Sequence, residues 1–132
     1  MRALFIALST LLAVASAADE RSGFVSVAEV GAVRLEVDQA TTQDRDLLIR
    51  VRDYAAADRG SKEVACDIFN VEDWGAERKV GRVVLHAVEP PPLYSGSYPS
   101  DDSFGHGSVV KVVYRSPALR LPLSTWNTVH FH

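Results

Sequence analysis

The sequence predicts an all-β domain, an antiparallel β-sandwich or meander of about six to seven strands with a long loop rich in proline, glycine and serine. Three observations predict this class. From Ser22 onward, apolar and polar residues repeatedly alternate with a period of two, which is typical of half-buried strands. Turn residues separate most of the alternating segments, and no rhythm of strand, helix and strand appears.

The first residues are typical of a secretory signal peptide. Arg2 supplies the positive start, Leu4 to Val14 is an apolar run too short to span a bilayer, and Ala15-Ser16-Ala17 is a small-residue cleavage signal. We expect cleavage after Ala17, with Ala18 as the second choice and a buried N-terminal helix as the alternative. Removal of residues 1–17 from the 132-residue chain leaves 115 residues, a single secreted β domain over residues 18–132. No other apolar run reaches the length of a membrane span, so a soluble mature protein is expected.

Seven segments carry the strand pattern. In Val33 to Val37 and in Ile49 to Arg52, apolar residues alternate with charged ones, and Val80 to Val88 is rich in β-branched residues. Two short stretches, Thr41 to Arg45 and Asp53 to Asp58, are candidates for single helical turns. The strand candidates in chain order are 24–30, 33–37, 49–52, 64–71, 80–88, 109–114 and 126–131.

The connection from Glu89 to Gly107 is predicted as the long loop. Unstructured connections of this length are uncommon in compact domains and often carry function. Tyr94, Tyr98 and Phe104 are aromatic residues in this otherwise polar segment. They either pack back on the sheet or face a partner, and we take them as the candidate binding residues.

The charge balance argues against polyanionic partners. The chain has a formal net charge of −3, which becomes −4 when Arg2 leaves with the signal peptide. A mildly acidic protein with no run of Lys and Arg is not expected to bind nucleic acid or a membrane. Arg50 and Arg52 share one face of a predicted strand, where a solvated face is the ordinary interpretation and an anion contact is the alternative.

Cys66 is the single cysteine, so an intramolecular disulfide is excluded. Its place between Val64 and Ile68 at strand spacing predicts a small buried residue. A disulfide to another chain is the alternative, since the thiol lies in no recognisable catalytic motif.

The search for catalytic chemistry identifies one weak candidate. His130 and His132 are two residues apart on the last predicted strand, and His106 in the loop could supply a third zinc ligand. A solvated strand end is the ordinary interpretation, as is a solvated loop for the paired acids Asp101 and Asp102. The sequence has no nucleophile elbow, phosphate-binding loop or dinucleotide fingerprint. We therefore expect a non-enzymatic protein without a cofactor.

Several segments share glycine, valine and aromatic patterns with a known family. They are Asp44-Arg45-Asp46-Leu47-Leu48, Gly81 to Val88, Tyr94 to Ser100, Gly105 to Ser116 and Trp126 to Phe131. Together these segments resemble the multiprotein bridging factor 2 family of insects. This resemblance implies a small secreted protein, with a transcriptional coactivator, as described for a founding member, as the alternative. The family's glycine-containing turn after the valine-rich strand is replaced here by Ser116 to Pro122.

These observations favour a small secreted, non-enzymatic binding module whose partner is an extracellular protein or a small ligand. A coactivator of the bridging-factor type and a small metal-dependent secreted enzyme are the alternatives. The identity of the partner and the oligomeric state stay open.

Overall fold

Eight antiparallel strands form one sheet that curls into a nearly closed barrel. The computed structural model describes residues 25–39, 46–99 and 108–128. The strands are β1 (Val25–Val30), β2 (Val33–Gln39), β3 (Leu47–Asp53), β4 (Glu63–Val71), β5 (Glu77–Val88), β6 (Leu93–Tyr98), β7 (Val109–Tyr114) and β8 (Leu123–Thr128). The short helix α1 (Tyr54–Asp58) joins β3 to β4.

The prediction of an all-β antiparallel protein is confirmed, and the sandwich or meander is replaced by the barrel-like sheet. In the sheet the order is β1-β2-β3-β6-β5-β4-β7-β8. The meander β4-β5-β6 is flanked by β3 beside β6 and by β7 beside β4, which is a pair of overlapping Greek keys. Strands β1 and β8 come together to close the circle, where the Ser26 hydroxyl donates to the Trp126 carbonyl oxygen at 3.1 Å.

Side chains fill the interior. Inward-facing residues alternate with outward-facing ones along each strand, as in β3, where Leu47, Ile49 and Val51 are fully buried. Two large tyrosines, Tyr94 on β6 and Tyr114 on β7, lie inside with 1 % of their surface exposed. A barrel of eight strands is just wide enough for its own side chains to fill it.

All seven predicted strands overlap strands of the structure, but β6 was missed. It occupies Leu93–Tyr98, inside the segment predicted as a loop. The connection before it is a short turn, Glu89 to Pro92, with cis peptide bonds preceding Pro90 and Pro92. The rest of the predicted loop, residues 100–107, lies outside the described residues, as does the helical turn predicted at 41–45.

The helical turn predicted at Asp53 to Asp58 is confirmed as α1. Because β6 and β5 lie between β3 and β4 in the sheet, α1 crosses one end of the barrel, which we call the helix end. The turn before β6 lies at the same end, since the backbone N–H of Asp53 donates to the Pro92 carbonyl oxygen at 3.2 Å. Arg115, Ser116 and Pro117, which follow β7, also lie there.

Candidate anion-binding site on the outer face of the sheet

Two of the three aromatic residues predicted to bind a partner, Tyr94 and Tyr98, lie in the described part of the chain, and both pack against the core. The Tyr94 hydroxyl donates to the Ser61 carbonyl oxygen at 2.8 Å, and the Tyr98 hydroxyl donates to the Val80 carbonyl oxygen at 3.2 Å. Both rings pack against the core, so the loop interpretation is wrong for these two residues. Phe104 lies outside the described residues. The binding role assigned to the three aromatics stays a prediction.

The three histidines proposed as metal ligands all lie outside the described part of the chain. His106, His130 and His132 are not described, so the metal hypothesis stays a prediction. His86 is exposed on β5, with Nδ1 lying 3.3 Å from Oε2 of Glu63. Within residues 25–39, 46–99 and 108–128, no group of three His, Cys, Asp or Glu residues is placed to hold a metal ion.

A buried carboxylate at the helix end is fully engaged in holding the fold. Oδ1 of Asp53 accepts from the backbone N–H groups of Ala55 at 3.0 Å and Ala56 at 3.3 Å, which caps the first turn of α1. Oδ2 accepts from the Tyr114 hydroxyl at 2.5 Å. Asp53 has no exposed surface. Because both oxygens are occupied and closed off from solvent, Asp53 fastens the helix to the barrel and is not presented to a substrate.

The phenol of Tyr114 keeps its proton in this environment. Burial, followed by the hydrogen bond to Asp53 and the charge of that carboxylate, raises the pKa of Tyr114 well above its ordinary value. Burial, together with the charge of Asp53, also raises the pKa of Tyr94. Both hydroxyl groups therefore keep their protons and act as hydrogen-bond donors.

Cys66 occupies the interior beside Tyr114. It lies opposite Tyr114 on β7 and opposite Val83 on β5, and 1 % of its surface is exposed. Burial, with a smaller effect of the Asp67 charge, raises the pKa of the Cys66 thiol to about 12. The prediction of a small buried residue is confirmed. A disulfide to another chain would require the barrel to open.

The strongest candidate for recognition is a set of four charged residues on the outer face of β2 and β3. Arg34 lies directly opposite Arg52, and Glu36 lies directly opposite Arg50. Their neighbours Leu35 and Val51 face the interior, so the alternation of both strands turns these four side chains outward. We call Arg34, Glu36, Arg50 and Arg52 the arginine square.

The single acid of the arginine square is shared by two arginines. Oε1 of Glu36 lies 2.8 Å from Nη1 of Arg50, and Oε2 lies 3.4 Å from Nη2 of Arg34. Arg52 makes no hydrogen bond or ion pair with any of the residues that the structure describes. Glu29 on β1 lies opposite Arg34 and contributes one further negative charge at the edge. Whether or not Glu29 is counted, the net charge of this group of residues is positive, although the net charge of the whole chain is negative.

The arginine square surrounds a shallow depression of about 300 Å³. Leu93, which lies opposite Arg52 on β6, adds an apolar wall to it. Guanidinium groups offer paired N–H donors whose geometry fits a carboxylate or a phosphate. The depression therefore suits an anionic group that is attached to a small apolar portion.

Half of this site could be found from the sequence. Arg50 and Arg52 were identified as sharing a strand face, and the alternation of Val33, Leu35 and Val37 placed Arg34 and Glu36 on the polar face of the preceding strand. The missing information was the register between the two strands. A shift of one residue would have turned one set of side chains inward, and a shift of two would have separated Arg34 from Arg52.

No protein-family model matches the chain, and no curated protein or solved structure matches it either. The resemblance to the multiprotein bridging factor 2 family therefore stays a prediction. In the part of the chain that the structure describes, no helix is long and apolar enough to cross a membrane.

Proposed function

We propose that this protein is a small secreted, non-enzymatic binding protein that captures a carboxylate-bearing ligand at the arginine square. The observation that supports the proposal is the pairing of Arg34 with Arg52 across β2 and β3 while Arg52 has no partner among the described residues. The ligand is a small molecule or an acidic side chain of an extracellular protein.

The physical reason is the balance of charge on the outer face. Like charges directly opposite each other on neighbouring strands destabilise a sheet, by an amount on the order of 0.2–1 kcal/mol. Glu36 offsets part of this repulsion through Arg34 and Arg50. A bound carboxylate between Arg34 and Arg52 relieves the remainder and gains charge-assisted hydrogen bonds from both guanidinium groups. Binding energy is thus available at this position without a change of fold.

The remaining hypotheses concern where the protein acts. A secreted binding protein agrees with the predicted signal peptide, and it agrees with what the resemblance to the bridging-factor family implies. The coactivator alternative requires the leader to stay uncleaved inside the cell. N-terminal sequencing of the expressed protein discriminates between them, because secretion predicts an N-terminus at Ala18 or Asp19 in the medium.

Titration of the ¹⁵N-labelled mature protein with hexaglutamate, followed by NMR, tests the binding proposal. We expect saturable shifts of the backbone amides of the arginine square, with an affinity that falls as salt is added because the exposed charges are screened. The double variant Arg34→Gln/Arg52→Gln should bind about tenfold more weakly or worse, since a hydrogen bond to a charged group contributes about 1.5–3 kcal/mol.

The matched control is Lys62→Gln/Arg120→Gln, which removes the same charge from two exposed residues away from the arginine square. It should bind hexaglutamate as the unmodified protein does. If both double variants lose affinity equally, the effect is one of net charge and the arginine square is not the site. Hexalysine serves as the negative control ligand.

A further inference from the structure

A second candidate site lies at the helix end of the barrel. It is an open depression of about 420 Å³, bordered by α1, the start of β4 and the end of β7. We call it the end cleft. It is lined by Ala56, Arg59, Ser61, Val64, Ala65, Tyr114, Arg115, Ser116 and Pro117.

Among the residues that the structure describes, two arginines and no acid line the end cleft. Arg59 is the C-cap of α1, and Arg115 follows the last residue of β7, so the two guanidinium groups come from separate elements. Neither side chain forms a hydrogen bond or an ion pair within residues 25–39, 46–99 and 108–128. The arginine square differs in this respect, because two of its arginines already share Glu36.

Several backbone carbonyl groups near the cleft already accept hydrogen bonds. At the end of α1, the Ala55 carbonyl oxygen accepts from the backbone N–H of Arg59 at 3.2 Å. The Ala56 carbonyl oxygen accepts from Ser61 at 3.1 Å, and that of Ala57 accepts from Gly60 at 2.9 Å. The Ser116 carbonyl oxygen accepts from the N–H of Leu119 at 3.2 Å. These carbonyl groups are engaged within the fold, whereas the guanidinium donors of Arg59 and Arg115 have no partner among the described residues.

Ser116 adds a donor within the cleft. Its side chain is 6 % exposed, and its Oγ accepts from the backbone N–H of Ala118 at 3.0 Å. A serine hydroxyl can accept and donate at once, and the structure gives its proton no acceptor among the described residues. The hydroxyl can therefore donate to an oxygen that enters the cleft.

The remaining walls are apolar. Val64, Ala65 and Pro117 face the same space, and Tyr114 forms part of the lining with its hydroxyl engaged by Asp53. A volume of this size is at the lower end of the range of small-molecule sites, roughly 300–1,000 Å³. Apolar walls, two cations and a hydroxyl in one lining match an anionic head on a short hydrocarbon body.

We propose that the end cleft binds a small organic monocarboxylate, with Arg59, Arg115 and the Ser116 hydroxyl holding the carboxylate and with Val64 and Pro117 contacting its apolar body. This site is separate from the arginine square and does not depend on the function proposed there. A short-chain or aromatic carboxylic acid is the ligand class that combines both features.

Hexanoate, hexanol and inorganic phosphate are the three probes for an NMR titration of the ¹⁵N-labelled mature protein. We expect saturable shifts of the amides of Arg59, Arg115 and Ser116 with hexanoate. Hexanol, which lacks the charge, and phosphate, which lacks the apolar body, should each bind at least about tenfold more weakly. Equal affinity for hexanol excludes the role of the arginines, and equal affinity for phosphate excludes the role of the apolar walls.

Variants of the exposed arginines locate the site. Arg59→Gln/Arg115→Gln should weaken hexanoate binding about tenfold or more, and unchanged spectra elsewhere will show that the fold is retained. Arg78→Gln/Arg82→Gln, at two exposed arginines of β5 outside both candidate sites, carries the same change of charge and should bind hexanoate normally. Shifts centred on Arg34 and Arg52 would overturn the end cleft while leaving the arginine square in place, so the two proposals fail separately.

Discussion

The two buried tyrosines provide a matched test of how the helix end is held together. Tyr114 donates to the carboxylate of Asp53 at 2.5 Å, whereas Tyr94 donates to the neutral carbonyl oxygen of Ser61 at 2.8 Å. Both rings are 1 % exposed. Replacing either tyrosine with phenylalanine keeps the ring in the core and removes one hydrogen bond, so the two variants differ in the charge of the acceptor.

The expected costs differ by about a factor of two. A hydrogen bond to a charged group contributes about 1.5–3 kcal/mol to stability, and a neutral one contributes about 0.5–1.5 kcal/mol. Tyr114→Phe also leaves Oδ2 of Asp53 buried without its donor, which places its cost toward the upper end of the range. We expect Tyr114→Phe to lower the free energy of unfolding by about 2–3 kcal/mol and Tyr94→Phe by about 1 kcal/mol.

Equilibrium unfolding in urea at pH 7, followed by tryptophan fluorescence and circular dichroism, measures both costs. The denaturant dependence should be the same in the three proteins, so that the midpoints report stability directly. Equal costs for the two variants, or a larger cost for Tyr94→Phe, would contradict the role assigned to Asp53. The double variant should show additive losses if the two hydroxyl groups act independently.

Two further predictions concern the interior. Because the folded protein holds the pKa of Cys66 near 12 while the unfolded thiol titrates near its ordinary value of 9.0, the unfolded state loses its proton first. The free energy of unfolding should therefore fall by up to about 1.4 kcal/mol per pH unit above pH 9, and Cys66→Ala should lack this loss between pH 9 and 10, below the ordinary range of tyrosine. Gly96→Ala should destabilise the protein by about 1–3 kcal/mol, because the new Cβ would lie 2.8 Å from Cδ2 of Leu85 and 2.9 Å from the Val84 carbonyl oxygen. Ser95→Ala on the outward-facing side of the same strand is the control, and thermal unfolding that ranks the two variants equally would contradict the close packing of Gly96.

The missed strand β6 shows where composition misleads. Its core-facing positions are Tyr94, Gly96 and Tyr98, so a period of two is present in a segment whose serine and glycine content is typical of turns. Gly96 is required because Leu85 and the backbone of Val84 approach it closely from β5. A glycine within a strand often marks such an approach, but the approaching residues come from another part of the chain. The alternation alone could not outweigh the loop-like composition.

The alternation of apolar and polar residues could not predict that the sheet curls into a barrel. A sandwich and a barrel both bury one face of each strand, so the same alternation predicts either. What distinguishes them is the pairing of strands that are distant in sequence, such as β3 with β6 and β4 with β7. The helical turn after Asp53 was predictable because its signals are local, namely a capping aspartate followed by three alanines.

The packing of the barrel accounts for the position of both candidate sites. The interior is filled by residues such as Leu35, Tyr94 and Tyr114, which leaves recognition to the outer face and to the ends. Alternation on adjacent strands in register brings the arginine square together, and the crossing of α1 brings Arg59 to the end of β7. Since these cations lie on strands and at strand or helix ends that the core holds in place, little conformational entropy of the backbone is lost on binding. Substitution of the outward arginines should therefore lower affinity while changing stability by no more than about 1 kcal/mol, whereas Tyr94→Phe in the interior should lower stability and leave affinity at the arginine square unchanged.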